Sequence, residues 1–469
     1  MPNRVMRFIG LLCAGVLAVA SNAGNLSGPI RGVVSLANSP YYVIGDIWIS
    51  SGDSVTIEAG VAIYFNVGTS LLVLGKLDAI GNIGSQIFLR GFNNQTWDGI
   101  RFENGRSSQL SYVYIYNACT PIYTQFTQVT LVSCSLNGSA TGVSAVRATV
   151  TIQNCSIALY GSSTTGISAI ESSVVVTGGN ISSVSYGFGL PATAVYTNGG
   201  ELEINHNEIS VTANETATGI QIISSNGARV ERNIIRLSSY LDNVGIMLYD
   251  VGGGITVAQN TIRLMNPGSS GNGIKTEFNR GVDVRNNVLW GQNNGCGWWT
   301  ANNGIISWDY NLVYGFSTFY FGASPGQHDL QLFPDLDPNT FIPNPGSPVI
   351  DAGDPSFPPD PDGTIADIGA LPYNRLSAPE PHIALPSGMM LAVWPNPFNQ
   401  TVRFSLTGAV QVRWHIVDCQ GREVASGKGR PASGLWNAEW SPRGIAAGWY
   451  LFEANSERGV VRRSLCYVP

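Results

Sequence analysis

Charge is what this chain has least of. Asp, Glu, Lys and Arg make up 12% of its 469 residues, about half the share of an ordinary globular domain. Histidine is almost absent: His206, His328, His382 and His415 stand alone, none with a partner at ligand spacing, and no CxxC occurs. A zinc site or a histidine-based nucleophile therefore has no support. No apolar run reaches the ~18 residues of a membrane-spanning helix. No 3.6-residue periodicity is visible either, so helices of consequence are excluded. The few charges are unevenly placed. Residues 376–469 hold nine Lys or Arg against six Asp or Glu, within a chain of net charge −6. An acidic body with a mildly basic, apolar-rich tail argues against nucleic acid as a partner.

What is abundant is Gly (55 residues) together with Val, Ile, Ser and Asn, a composition that favours strands broken by turns. One phrase recurs between 201 and 314. It runs Leu202-Glu-Ile-Asn-His-Asn207-Glu-Ile209, then Val230-Glu-Arg-Asn233-Ile-Ile235, then Ile255-Thr-Val-Ala-Gln-Asn260-Thr-Ile262. Val282-Asp-Val-Arg-Asn-Asn287-Val-Leu289 and Ile306-Ser-Trp-Asp-Tyr-Asn311-Leu-Val313 continue it. The asparagines at 207, 233, 260, 287 and 311 fall at intervals of 26, 27, 27 and 24. Gly219-Ile220, Gly245-Ile246 and Gly273-Ile274 keep step with them. A fixed period in this range means stacked repeats that bury their apolar faces only against neighbours. The pattern lacks the Leu consensus of a leucine-rich repeat, and the period is too short for a propeller blade. The spacing predicts an all-β, parallel β-helix of about eleven coils, in which Asn207, Asn233, Asn260, Asn287 and Asn311 stack one on the next. A buried turn amide needs a partner, and the same residue one rung away supplies it.

The ends read differently. Arg4 and Arg7, an apolar stretch over 8–19 and Ala18-Val19-Ala20 have the form of an export signal over residues 1–20. Residues 21–373 form the β-helix with its closing segment, whose expected task is to cover the open end of the last coil. Pro-rich 374–388 is a linker, and 389–469 a small β-sandwich. The oxidising destination permits disulfides. Cys134 and Cys155 take the asparagine position on adjacent coils, where a bridge and stacked thiols are both open; Cys419 and Cys466 leave the same question.

Two resemblances follow from named residues. Ile57-Glu-Ala-Gly-Val61, Gly68-Thr-Ser-Leu-Leu-Val-Leu-Gly-Lys-Leu77 and Trp97-Asp-Gly-Ile-Arg-Phe102 resemble the opening coils of secreted bacterial right-handed parallel β-helix proteins with a pectin-lyase-like fold. That resemblance implies a right-handed coil and makes Asn207, Asn233, Asn260, Asn287 and Asn311 its structural asparagine ladder. The tail carries Trp394-Pro-Asn-Pro-Phe-Asn399, Asp418-Cys-Gln-Gly-Arg-Glu-Val424 and Gly448-Trp-Tyr450. It resembles the C-terminal sorting domain of type IX secretion substrates, a FlgD-like immunoglobulin-type sandwich. That resemblance implies export to the outer cell surface or medium, with the outer-membrane secretion machinery as a partner.

Three groups of residues are candidates for chemistry. Lys275, Glu277, Asp283 and Arg285 could serve a polyuronate lyase, with carboxylates for calcium and Lys or Arg to take the α-proton. The same residues also suit exposed strands whose charges pair with each other. Trp298 and Trp299, flanked by Gly and Asn, are the expected exposed pair of a dense aromatic run, a platform for sugar rings; the rest of the run would plug the last coils. Asp360, Asp362 and Asp367 around Gly363 form either a small calcium site, with calcium the one cofactor considered, or a turn that caps itself. The expected function is a secreted or cell-surface, non-catalytic carbohydrate-binding, adhesive or structural module, with a polysaccharide or cell-surface glycan as partner. A lyase or glycoside hydrolase acting on an acidic glycan is the alternative.

Overall fold

The structure, a computed structural model, describes residues 24–225, 227–265, 270–374 and, within 390–468, all but 395, 397, 408–410, 419–421, 432–434 and 457–458. The expected export signal, nearly all of the expected linker, Cys419 and the Cys466 side chain lie outside the described residues. The chain divides into two compact units, Met1–Asn374 and Arg375–Pro469.

In the first unit each strand pairs with the equivalent strand one turn on, always in parallel. Three sheets result. The first stacks Ser70–Val73, Gly99–Glu103 and Ile122–Gln125 and ends with Ser270–Glu277, Cys296–Ala301 and Thr318–Phe321. The second runs from Ser54–Ile57 and Lys76–Ile80 to Val282–Arg285 and Ile306–Asp309. The third runs from Ala62–Phe65 and Ile87–Gly91 to Val288–Trp290 and Leu312–Tyr314. This is a parallel β-solenoid of about eleven turns. Residues 25–34 supply the first paired strands, Asn25–Pro29 and Gly32–Val34.

Alternation puts every second side chain inside. Like stacks on like: Ile220, Ile246 and Ile274 in one file, Val230, Val257 and Val284 in another, all fully buried. The Gly-Ile phrase has a steric cause. A Cβ on Gly245 would stand 2.3 Å from the Gly273 carbonyl oxygen and 2.5 Å from Ile262.

At the corner between the second and third sheets a left-handed residue turns the chain. His206, Arg232, Gln259, Asn286 and Tyr310 hold φ between 52° and 56°, a conformation that disfavours non-glycine residues by ~1–2 kcal/mol each. The residue that follows is the ladder asparagine, and its hydrogen bonds hold the corner. Asn233 donates from Nδ2 to Asn260 Oδ1 at 3.0 Å, and its backbone N–H donates to the same oxygen at 3.0 Å. Asn207 to Asn233, Asn260 to Asn287 and Asn287 to Asn311 repeat both bonds. Each Nδ2 also donates to backbone carbonyls, as Asn260 does to Val230 and Ala258. All five amides are buried and satisfied.

Other chemistry extends the column at both ends. Asn207 Oδ1 accepts from Gly179 N–H, and further back the Cys134 N–H donates to Cys155 Sγ at 3.3 Å. Cys134 and Cys155 are free thiols stacked in the ladder; the hydrogen bond with Cys155, and after it burial, push the Cys134 thiol well up, holding it protonated. At the far end Asp329 closes the file. Its carboxylate accepts from Asn311 N–H at 2.9 Å, Trp308 Nε1 at 2.6 Å and the Tyr320 hydroxyl at 2.9 Å. Trp298 and Trp308, stacked at 4.0 Å, plug the last turns with Phe316.

The closing segment meets the coil end through Asp329 and Leu330, which pair with the last turn, and then goes further. It lies along the outer face of the third sheet, where Leu336, Phe341, Val349, Ile368 and Ala370 bury Ile234, Val288, Trp290 and Leu312 in a second core. Hydrogen bonds reach back several turns, from Ala370 N–H to Thr261 and from Arg236 to the Asn339 carbonyl. A row of outward aliphatics on three turns is an apolar strip that needs a lid more than the plugged end does.

The second unit is two antiparallel sheets. Met390–Trp394, Val402–Thr407 and Leu435–Trp440 make one; Glu423–Gly429, Val412–Asp418, Gly448–Ser456 and Gly459–Tyr467 make the other. Phe404 of the first stacks on Phe452 of the second at 4.0 Å, at the centre of a core with Ile416, Trp436 and Leu465.

Replacing Asn260 by Ala removes the acceptor of two buried N–H groups and strands two buried carbonyls. The expected loss of unfolding free energy is ~3–5 kcal/mol, against under ~0.5 kcal/mol for Asn205→Ala on the outer face, read as urea midpoints. Equal midpoints for the two variants would contradict the ladder's role.

Candidate functional site

Register sets out the side chains that point away from the core on the last turns of the first sheet. Met247, Lys275, Trp299 and Phe321 occupy successive rungs of one outward row, and Tyr249 and Glu277 stand beside it in the next. Lys275 Nζ lies 4.6 Å from the Trp299 ring centroid and 3.9 Å from Glu277. Trp299 stacks on Phe321 at 5.9 Å with 6° between the planes. Trp298 differs from expectation. Being one residue earlier it points inward, 5% exposed, with its Nε1 donating to Thr276. Of the two tryptophans Trp299 alone can meet a ligand.

At the corner next to this row lies a shallow depression of about 560 Å³, lined by Tyr249, Asp250, Phe278, Arg280, Asn302 and Asn303 among others. Asp250, Phe278 and Asn302 are the left-handed corner residues of three successive turns, with φ of 52°, 58° and 54°, which throws their side chains outward. Tyr249 and Phe278 meet edge to face at 5.6 Å. The floor is a second amide column that the sequence reading missed. Asn279 Oδ1 accepts from Val251 N–H, and Asn303 Oδ1 accepts from Asn279 N–H at 2.7 Å. The 24-residue interval between Asn279 and Asn303 was its signal. Asp250 and Arg280 form no ion pair among the described residues.

Asp283 and Arg285 sit on the second sheet, apart from Lys275 and Glu277 on the first. Arg285 is fully engaged. Its Nε bonds Asp283 at 2.7 Å, one terminal nitrogen bonds Asp354 of the closing segment, and the other bonds Ser307 at 2.9 Å. Asp354 and Asp283 hold the guanidinium above its usual range. No hydrogen bond or ion pair joins the two halves of the expected catalytic group among the described residues. Each charge is answered locally, as on exposed strands.

The three aspartates near Gly363 turn their oxygens to the backbone. Asp367 accepts from Asp351 and Tyr373 N–H groups and donates its own N–H to Asp360 at 2.7 Å; Asp362 accepts from the Thr364 hydroxyl. Among the described residues no cluster of three His, Cys, Asp or Glu is placed to hold a metal ion. Asp360 and Asp367 are buried, and burial pushes Asp360 up to about 6, with Asp367 raised for the same reason. A carboxyl whose folded pKa lies above its unfolded ~3.9 stabilises the fold below that value, and loses that contribution as pH rises through about 6. Hydrogen exchange across 346–373, corrected for intrinsic rates, should be slower at pH 5 than at pH 7.5. Asp360→Asn should flatten the difference; a profile unaffected by that change would contradict the assignment.

Comparison with known proteins places the second unit. Residues 392–466 match the family described as the secretion system C-terminal sorting domain. A 63-residue stretch is 40% identical to protein bark beetle of Drosophila melanogaster, covering 13% of this chain and 2% of that much longer protein. The C-terminal unit is thus a type IX secretion sorting domain, and it marks a β-solenoid protein exported to the cell surface or the extracellular space.

Proposed function

We propose that the exported solenoid is a non-catalytic carbohydrate-binding, adhesive module that holds a glycan along the outer face of its last turns. The observation that carries this reading is the continuous outward row Lys275–Trp299–Phe321 beside a depression with an aromatic wall and with Asp250 and Arg280, which form no ion pair among the described residues. Aromatic faces take the apolar sides of sugar rings, while carboxylate, guanidinium and amide groups take the hydroxyls. Sites of this kind need no moving parts, and strands stacked ~4.8 Å apart offer a rigid, repeating surface. The alternative, a lyase or hydrolase for an acidic glycan, needs a free base. Lys275 is paired with Glu277, and Arg285 with Asp283 and Asp354, which weighs against it.

On a glycan panel read by isothermal titration, Trp299→Ala should weaken the best ligand by about tenfold, with an unchanged melting temperature. Calcium-dependent release of unsaturated uronate ends, abolished by Lys275→Ala, would instead establish the lyase. For the tail, removing residues 389–469 should leave the protein in the periplasm. Surface display of that truncation would contradict its sorting role.

A further inference from the structure

The third sheet changes character along its length. Over its later turns the outer face is aliphatic and is roofed by the closing segment. Over its first turns the outer face is aromatic and open. Register places Tyr42, Tyr64, Arg90 and Tyr116 on successive rungs of one outward row, with Phe88 and Tyr114 in the row beside it. Tyr42 and Tyr64 stack at 5.4 Å, and Phe92, from the turn after Ile87–Gly91, meets both edge-on at 5.7 and 6.4 Å. Phe88 meets Tyr114 at 5.4 Å. Four rungs span ~15 Å along the axis.

Arg90 stands in the middle of this surface. Its guanidinium lies 5.5 Å from the Tyr64 ring, and one terminal nitrogen donates to Asn94 Oδ1 at 3.2 Å. It forms no ion pair among the described residues, and its Nε, shielded from solvent, has no acceptor. Among the described residues the guanidinium thus carries a full charge answered only by a neutral amide oxygen at one terminal nitrogen. A carboxylate on the surface, bonding the terminal nitrogens, would supply the missing counter-charge. We propose that this face is a second carbohydrate site, for an acidic glycan whose carboxylate pairs with Arg90 while its rings lie against the tyrosines and phenylalanines. An aliphatic protein partner fits less well, since the chain already covers its aliphatic strip with its own closing segment and leaves the ring-and-hydroxyl surface bare. The site lies on a different sheet, and many turns away, from the row around Trp299. It therefore stands or falls independently of that row.

The test titrates the full chain with an oligogalacturonate and with a neutral cello-oligosaccharide of equal length. Arg90→Gln should weaken the acidic oligomer by about tenfold and leave the neutral one within twofold of wild type. Tyr42→Ala with Tyr64→Ala should weaken both, and Trp299→Ala should leave the Arg90-dependent component in place. Melting temperatures matching wild type establish that the variants are folded, and Arg90→Lys, which keeps the charge but not the planar fork, should fall between wild type and Arg90→Gln. Failure of the wild-type chain to bind the acidic oligomer overturns the proposal. So does binding that Arg90→Gln leaves unchanged, or binding that disappears with Trp299→Ala alone.

Discussion

A buried amide must be partnered, and the first unit of this protein is arranged around that requirement. At one corner of each later turn a non-glycine residue is forced into the left-handed region, and the next residue carries a side chain that enters the core with polar atoms on it. Stacking the same residue at the same place satisfies donor and acceptor together. Asn233, Asn260, Asn287 and Asn311 each take two N–H groups on Oδ1 from the rung before. Nδ2 of Asn207, Asn233, Asn260 and Asn287 finds a side-chain oxygen and backbone carbonyls. Where the column must stop, the chemistry changes. Thiols and Gly179 stand at its head, and Asp329, acceptor only, stands at its foot. An asparagine at 329 would bring donors to a place that already holds Trp308 and Tyr320 as donors.

With the inside committed to holding turns together, variety is left to the outside. Outward positions face no stacking constraint beyond their immediate neighbours, so one face of a sheet can carry aliphatics, and another rings and charges, without disturbing the scaffold. The protein uses this freedom in two ways. Outward aliphatics at 234, 288 and 312 receive the closing segment, while outward rings remain open on the first and third sheets. Arg285 lies at a seam, since its bond to Asp354 ties that closing segment to the second sheet.

Much of this was legible in the residues themselves. Near-regular spacing of five asparagines, at intervals of 24 to 27 residues, with Val and Ile in place of the Leu of other solenoids, determined the class of fold and the inward file, and the tail motifs pointed to the sorting domain. What escaped was whatever depends on which neighbour a surface residue meets. The doublets Ile234-Ile235, Val288-Leu289 and Leu312-Val313 were visible as breaks in alternation, yet only the packing shows that the first of each pair lies under a lid. Trp298 and Trp299 are adjacent and identical, and a one-residue step decides which is core and which is surface. The aspartates near Gly363 have the composition of a cation loop, but backbone N–H groups occupy their oxygens. Aromatics at 42, 64, 88, 92, 114 and 116 are too far apart in sequence to read as a patch until the turns stack.

The central claim is that recognition lies on outward rows while the ladder carries only structure. Hydrogen exchange of the full chain with and without a bound acidic or neutral oligosaccharide tests it most directly. Protection confined to outward strands and corners, around 247–250, 275–280 and 299–303 or around 42–64 and 88–116, is the predicted result, with exchange along the asparagine column unchanged. Protection confined to the C-terminal sorting domain, or spread evenly along the solenoid, would contradict it.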